Sequence, residues 1–296
     1  MKLKKLAALI CAFGFCTIPL VACEDQIDDL HNSSPSTEIV SNSTNSSNGS
    51  NSENSSSQST TPPPLPPQDS SSAPSPAPPP VVEPVIETVS YARCTGNGVN
   101  LRSGAGTGYA VLGSAEKGTV YAITGKTGSW YKTYYRGKTA YISASYVSVF
   151  ELEKTDNKTE KVLSEGYKLI GVPYVYGAVR LHDGKGNLLK GFTSQAFDCS
   201  SLVQYVFYKG ASKNLQVNTR TQITQGKYVA PSKLQRGDCI YFTNADRQYN
   251  TGIERVGHVA IYLGNDYILH TASDYARIEK MTTQRWNYYV EARRFL

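Results

Sequence analysis

Four zones of contrasting apolar pattern follow one another along the chain. Residues 1–22 hold one continuous apolar run, Leu6 to Val21, behind Lys2, Lys4 and Lys5. From Glu24 to about Thr88, apolar positions nearly vanish into Ser, Asn and Thr, and then Pro. Between 89 and 149, short β-prone runs (Val99–Arg102, Thr119–Thr124, Trp130–Tyr135, Lys138–Ile142) alternate with turns such as Gly104-Ala105-Gly106-Thr107-Gly108. That rhythm predicts a small all-β barrel over residues 89–150. A charged linker, Glu151 to Asn157, leads to residues 157–296, where helical spacing comes first. Val162, Leu163, Tyr167 and Ile170 share one side of a helix predicted over Thr159–Ile170. Leu202, Val203, Val206 and Phe207 do so for Cys199–Lys209, with Gly210 as its stop. Strand-like runs follow at Cys239–Thr243, Val256–Leu263, Tyr267–Thr271 and Tyr288–Phe295. This is an α+β order. The basic residues of Arg285 to Arg294 read as a solvated face.

Composition refines the first two zones. A basic start, an apolar run and small residues before a cysteine have the form of an export signal. Leu20-Val21-Ala22-Cys23 resembles the bacterial lipobox, which implies lipidation at Cys23 and a stable membrane anchor. Residues 23–88 hold too little apolar surface to offset ordering entropy and read as a disordered tether. Fully extended, such a tether reaches about 200 Å. The net charge is +6, but Lys2, Lys4 and Lys5 of the leader carry half of that excess. The remainder forms no basic stripe interleaved with aromatics, so nucleic acid is not an expected partner.

Beyond the leader, three cysteines remain: Cys94, Cys199 and Cys239. An odd, sparse set is not a disulfide framework. Cys94 and Cys239 read as buried core. Cys199 differs, because Asp198 is a good N-cap and places the thiol in the first turn of a helix. Backbone N–H groups and the helix dipole there favour a thiolate. Of four histidines, His31 falls in the tether and His182 in a polar loop. His258 and His270 lie twelve residues apart on strands joined by Gly264-Asn265-Asp266. Adjacent hairpin strands bring both rings onto one face, one as base and the other as its orienter. No cofactor or metal is called for. Cys199, His258 and His270 match no common zinc spacing.

Two resemblances rest on longer wording. Val99-Asn100-Leu101-Arg102-Ser103-Gly104, Gly128-Ser129-Trp130-Tyr131, Ala140-Tyr141-Ile142 and Tyr146-Val147 resemble a bacterial SH3-like domain, a family that binds cell-wall material or shapes a neighbouring active site. Gly171-Val172-Pro173-Tyr174-Val175-Tyr176-Gly177, Phe197-Asp198-Cys199-Ser200-Ser201-Leu202-Val203, Arg236-Gly237-Asp238-Cys239, Gly257–Gly264 and Leu269-His270 resemble the NlpC-type cell-wall peptidases. That second resemblance implies a papain-like α+β domain over residues 157–296. It makes Cys199 the nucleophile, His258 the general base, His270 its orienter and Tyr174 a stabiliser of the oxyanion. It assigns Asp198 and Ser200 to a substrate's free amino group. The implied substrate is the peptidoglycan stem peptide, cut between D-γ-glutamate and the diamino acid. A non-catalytic wall-binding lipoprotein, or an amidase on the same scaffold, stays open as an alternative.

Departures from that family are visible too. Twenty-four residues separate Tyr174 from Cys199, more than the family's usual spacing, and a second expanded loop spans Asn244 to Glu254. Both are expected to rim the cleft. Gln222 stands where the family has serine.

Overall fold

A computed structural model describes residues 86–296. The leader at 1–22, Cys23, His31 and the tether up to residue 85 lie outside the described residues. The β-rich zone supplies β1 (Thr88–Cys94), β2 (Val99–Arg102), β3 (Val111–Ala115), β4 (Val120–Ala122), β5 (Gly125–Thr127), β6 (Trp130–Tyr135), β7 (Lys138–Ser143) and β8 (Val147–Glu153). The predicted runs at β2 and β6 coincide with strands, while β1, β3, β5 and β8 went unpredicted. Glu151 to Glu153, expected as linker, instead continue β8 along the whole of β1.

Two helices and a sheet carry the rest. Asp156 caps α1 (Asn157–Tyr167) by accepting from the N–H groups of Lys158 and Thr159. α2 (Cys199–Ala211) buries Leu202, Val203, Val206 and Phe207 completely. Each such side chain contributes about 1.5–3 kcal/mol relative to exposure. Gly210 does not stop this helix, which runs to Ala211 and ends on Ser212 in the left-handed region. A Cβ on Gly210 would fall 2.4 Å from Val162 Cα. Glycine is there so that α1 and α2 can touch backbone to backbone.

After α3 (Thr219–Gln222) come β9 (Lys227–Val229), β10 (Cys239–Phe242), β11 (His258–Gly264), β12 (Tyr267–Ala272), β13 (Tyr275–Lys280), α4 (Thr283–Asn287) and β14 (Tyr289–Arg294). They form an antiparallel sheet that does not end with this domain. Ile278 pairs with Val120, giving nine strands in the order β8-β1-β4-β13-β12-β11-β10-β14-β9. β3-β2-β7-β6-β5 make a second sheet. One apolar core runs through both zones, from Leu101 and Ile142 to Leu202 and Leu269.

Polar groups close the same seam. The Arg236 guanidinium donates to Glu160 at 2.6 and 3.0 Å, to Leu263 O at 2.8 Å and to Tyr167 Oη at 2.7 Å. Tyr167 Oη meets Tyr91 Oη of β1 at 2.6 Å. Arg236 belongs to the Arg-Gly-Asp-Cys wording, so that motif is structural. A smaller cluster of Val229, Ile240, Phe242, Ala260 and Ile268 covers the opposite sheet face.

Candidate active site

Asp198 opens α2 through a reciprocal cap. Its Oδ1 accepts from Ser201 N–H at 2.8 Å, and Ser201 Oγ accepts from Asp198 N–H at 2.9 Å. Cys199 is therefore the first helical residue, at the positive end of the dipole. It is 8% exposed and lines an open cleft with Tyr174, Arg180, Ser200, Asn244 and Gly257. Cys94, Cys199 and Cys239 form no disulfide. Burial pushes the thiols of Cys94 and Cys239 up, as suits core residues. Among these three, Cys199 is the thiol that lines the cleft.

His258 is the first residue of β11, and Gly257 before it lines the cleft. Phe242 of β10 pairs with it. The pairing of Ile261 with Leu269 sets His270 diagonally opposite on the same face. The rings meet as expected, with His258 Nε2 3.0 Å from His270 Nδ1. His258 Nδ1 has no hydrogen-bond partner among the described residues. Burial, then His270, holds His258 well below the ordinary imidazole range. A neutral ring with one nitrogen engaged and one available is the form a general base requires.

Sequence reasoning missed the group behind His270. Glu279 lies on β13, where Ile268 pairs with Glu279 and His270 with Arg277. His270 Nε2 lies 3.0 Å from Glu279 Oε1, on an approach bent away from the line of the N–H. Arg285 of α4 pairs with the same carboxylate oxygen, and Arg277 Nε lies 3.8 Å from Oε2. Burial alone would raise the Glu279 pKa, but His270, Arg285 and Arg277 outweigh it and hold the carboxyl far down. Arg285 is thus no part of a solvated face. It is buried, with its guanidinium 5.8 Å from the Phe242 ring centre. Arg294 likewise pairs with Asp238 at 2.7 Å. The alternation of buried Ala276 and Ile278 with Arg277 and Glu279 was the signal for this strand.

Tyr174 lines the cleft where the resemblance places it. Its N–H donates to Asp274 O at 2.9 Å and its backbone bridges to Phe197. Asp198 and Ser200 also line the cleft, but their polar atoms are spent on other partners. Ser200 Oγ donates to Asp198 Oδ1 at 2.9 Å, and Arg180 Nη2 donates to Asp198 Oδ2 at 2.7 Å. Gln222 Nε2 donates to Ser200 O at 3.0 Å and to Gln216 O at 2.8 Å, bracing the start of α2. Both expanded loops reach the cleft, through Arg180 on one side and Asn244 and Arg247 on the other. His182 is not a surface residue of its loop. It is fully buried, and its Nδ1 accepts from Gly184 N–H at 3.0 Å.

Residues 171–294 match the model of the NlpC/P60 family, and residues 97–148 match that of the bacterial SH3 domain. The chain is similar to a gamma-DL-glutamyl hydrolase of Bacillus subtilis, 32% identical over 151 residues. That match covers 50% of this chain and 32% of that protein. It is 36% identical over 110 residues to the murein DD-endopeptidase MepS/murein LD-carboxypeptidase of Escherichia coli, covering 36% of this chain and 54% of that protein. A Staphylococcus aureus NLP/P60 family protein of known structure, described as similar to lipoprotein, is 27% identical. It aligns over 49% of this chain and 43% of that one, with a TM-score of 0.39. The chain spans about a third of the first relative and about half of the second. An NlpC/P60 domain is thus found at residues 171–294 of this chain, with a bacterial SH3 domain ahead of it at residues 97–148.

Proposed function

We propose that the protein is a cysteine endopeptidase that hydrolyses peptidoglycan stem peptides at the bond between D-γ-glutamate and the diamino acid. The observation that carries this reading is the buried His258–His270 pair, reached directly after Gly257, which lines the same cleft as Cys199. Its chemistry follows from which nitrogens are engaged. The Glu279 carboxylate favours a proton on His270 Nε2, which leaves His270 Nδ1 as an acceptor. His258 Nε2–H then donates to that nitrogen, and His258 Nδ1 keeps its lone pair for the thiol proton. Cys199 sulfur attacks the scissile carbonyl, and the tetrahedral oxyanion is held by the Cys199 N–H and Tyr174. Collapse expels the diamino acid amine, which takes the proton from His258, and leaves a thioester on Cys199. Water, deprotonated by His258, resolves it and frees the γ-glutamyl carboxylate and the thiol.

The leader and Cys23 support a place at the membrane, facing the wall, with the tether and SH3 domain setting reach and position. The test is digestion of purified peptidoglycan, with mass spectrometry of the released fragments. The expected result is new γ-glutamyl carboxyl and diamino acid amino ends from the wild type. Neither Cys199→Ala nor His258→Ala should produce them, although both fold. Undiminished release by Cys199→Ala would overturn the reading.

A further inference from the structure

The cleft beside Cys199 is unevenly charged. Asp198 carries the only carboxylate among the described residues that line it. Its Oδ1 accepts from Ser201 N–H at 2.8 Å and Ser200 Oγ at 2.9 Å, and its Oδ2 from Gly177 N–H at 3.2 Å and Arg180 Nη2 at 2.7 Å. A carboxylate offers about four acceptor sites, so these contacts fill it. Its side chain is 5% exposed. Arg180 is itself fixed, donating from Nε to Val217 O at 2.8 Å and from Nη1 to Ala178 O at 2.7 Å. An incoming ammonium would have to displace a guanidinium held at three points.

Arg220 and Arg247 also line the cleft. They share one counter-charge, Glu254, at 3.5 and 3.7 Å, and that carboxylate is 62% exposed. Two guanidiniums on a single solvated carboxylate leave positive charge facing the cleft, and pairs this exposed are weak. A substrate ammonium would find no open carboxylate among the described lining residues and a repulsive field, whereas a carboxylate would find two donors suited to it.

We propose that this cleft selects stem peptides whose amino terminus is acylated and that present a carboxylate to Arg220 and Arg247, with Arg180 as the residue that bars a free ammonium. This rests on the peptidase reading above and narrows it. The enzyme acts on stems still amide-linked to the wall polymer, ahead of any amidase that would free them.

The experiment compares kcat/KM of the full-length protein on three stem tripeptides. One has a free amino terminus, one is N-acetylated, and one is N-acetylated with its glutamate α-carboxylate amidated. The expected result for the wild type is an advantage on the order of tenfold for the acetylated peptide over the free amine. Amidation should cost a comparable factor through KM. Arg180→Gln should raise kcat/KM on the free amine alone and narrow the acyl preference, while Arg180→Lys keeps it. Arg220→Gln with Arg247→Gln should remove the penalty of amidation. A wild type that cuts the free-amine peptide as well as the acetylated one overturns the proposal. So does an Arg180→Gln protein that changes both peptides equally. A wild type that cuts none of the three peptides removes the peptidase reading itself and this proposal with it, whereas cutting of the free-amine peptide alone overturns only the selectivity.

Discussion

At the scale of single residues, Cys199 stood out because its neighbours are wrong for a core helix. Asp198, Ser200 and Ser201 flank a thiol at a helix start, and the structure uses all three to build that start. The histidine pair was legible from strand parity, which puts residues two apart on one face. Glu279 was not, since its partner lies nine residues earlier on a strand whose neighbour went unpredicted. Its role yields a prediction. Glu279→Gln should lower kcat on the order of tenfold with KM unchanged, because the amide no longer dictates which His270 nitrogen carries the proton. In a His270→Asn background, where Asn Oδ1 accepts from His258 directly, Glu279→Gln should cost nothing further. A full second loss in the double variant would show Glu279 acting elsewhere.

At the scale of elements, apolar spacing located both long helices, because each buries one continuous face, and four strands of the C-terminal domain, because their apolar runs are nearly unbroken. What it misjudged were positions governed by contact between elements. Gly210 reads as a terminator in isolation, yet the closeness of Val162 explains it. Gly210→Ala should therefore destabilise by about 1–3 kcal/mol, the range for overpacking a tight contact, measured as a lower urea midpoint. An unchanged midpoint would mean α1 shifts freely on α2. Arg285 and Arg294 read as surface for the same reason, since their acidic partners Glu279 and Asp238 come from other elements.

At the scale of the whole molecule, residues 86–296 behave as one body. Ile86–Leu296 belong to one compact unit, and the nine-stranded sheet, the shared core and the Arg236–Tyr167–Tyr91 chain all cross the seam. Calorimetry should show a single unfolding transition, and two separable transitions would contradict the shared core. This continuity was hidden in the sequence because neither β1 nor β8 was read as a strand, and the end of β8, Glu151 to Glu153, was read as linker. Acid sensitivity is also a property of the assembled fold. Burial lowers the pKa of His258 and His270 below their unfolded values. The stability they contribute is present above about pH 6.5 and is lost as pH falls from there toward the folded values. The melting temperature should fall between pH 7 and pH 5, and less so in a His258→Asn, His270→Asn protein. A flat profile in the wild type would contradict the burial.

The measurement that tests the central claim most directly is site-resolved alkylation by iodoacetamide across pH, read by peptide mass mapping. The account predicts that Cys199 reacts readily below pH 7, that His258→Ala slows it about tenfold or more, and that Cys94 and Cys239 stay unmodified in the folded protein. A Cys199 that reacts only above about pH 8.5, as an unperturbed thiol does, or no faster than those two core cysteines, would contradict it.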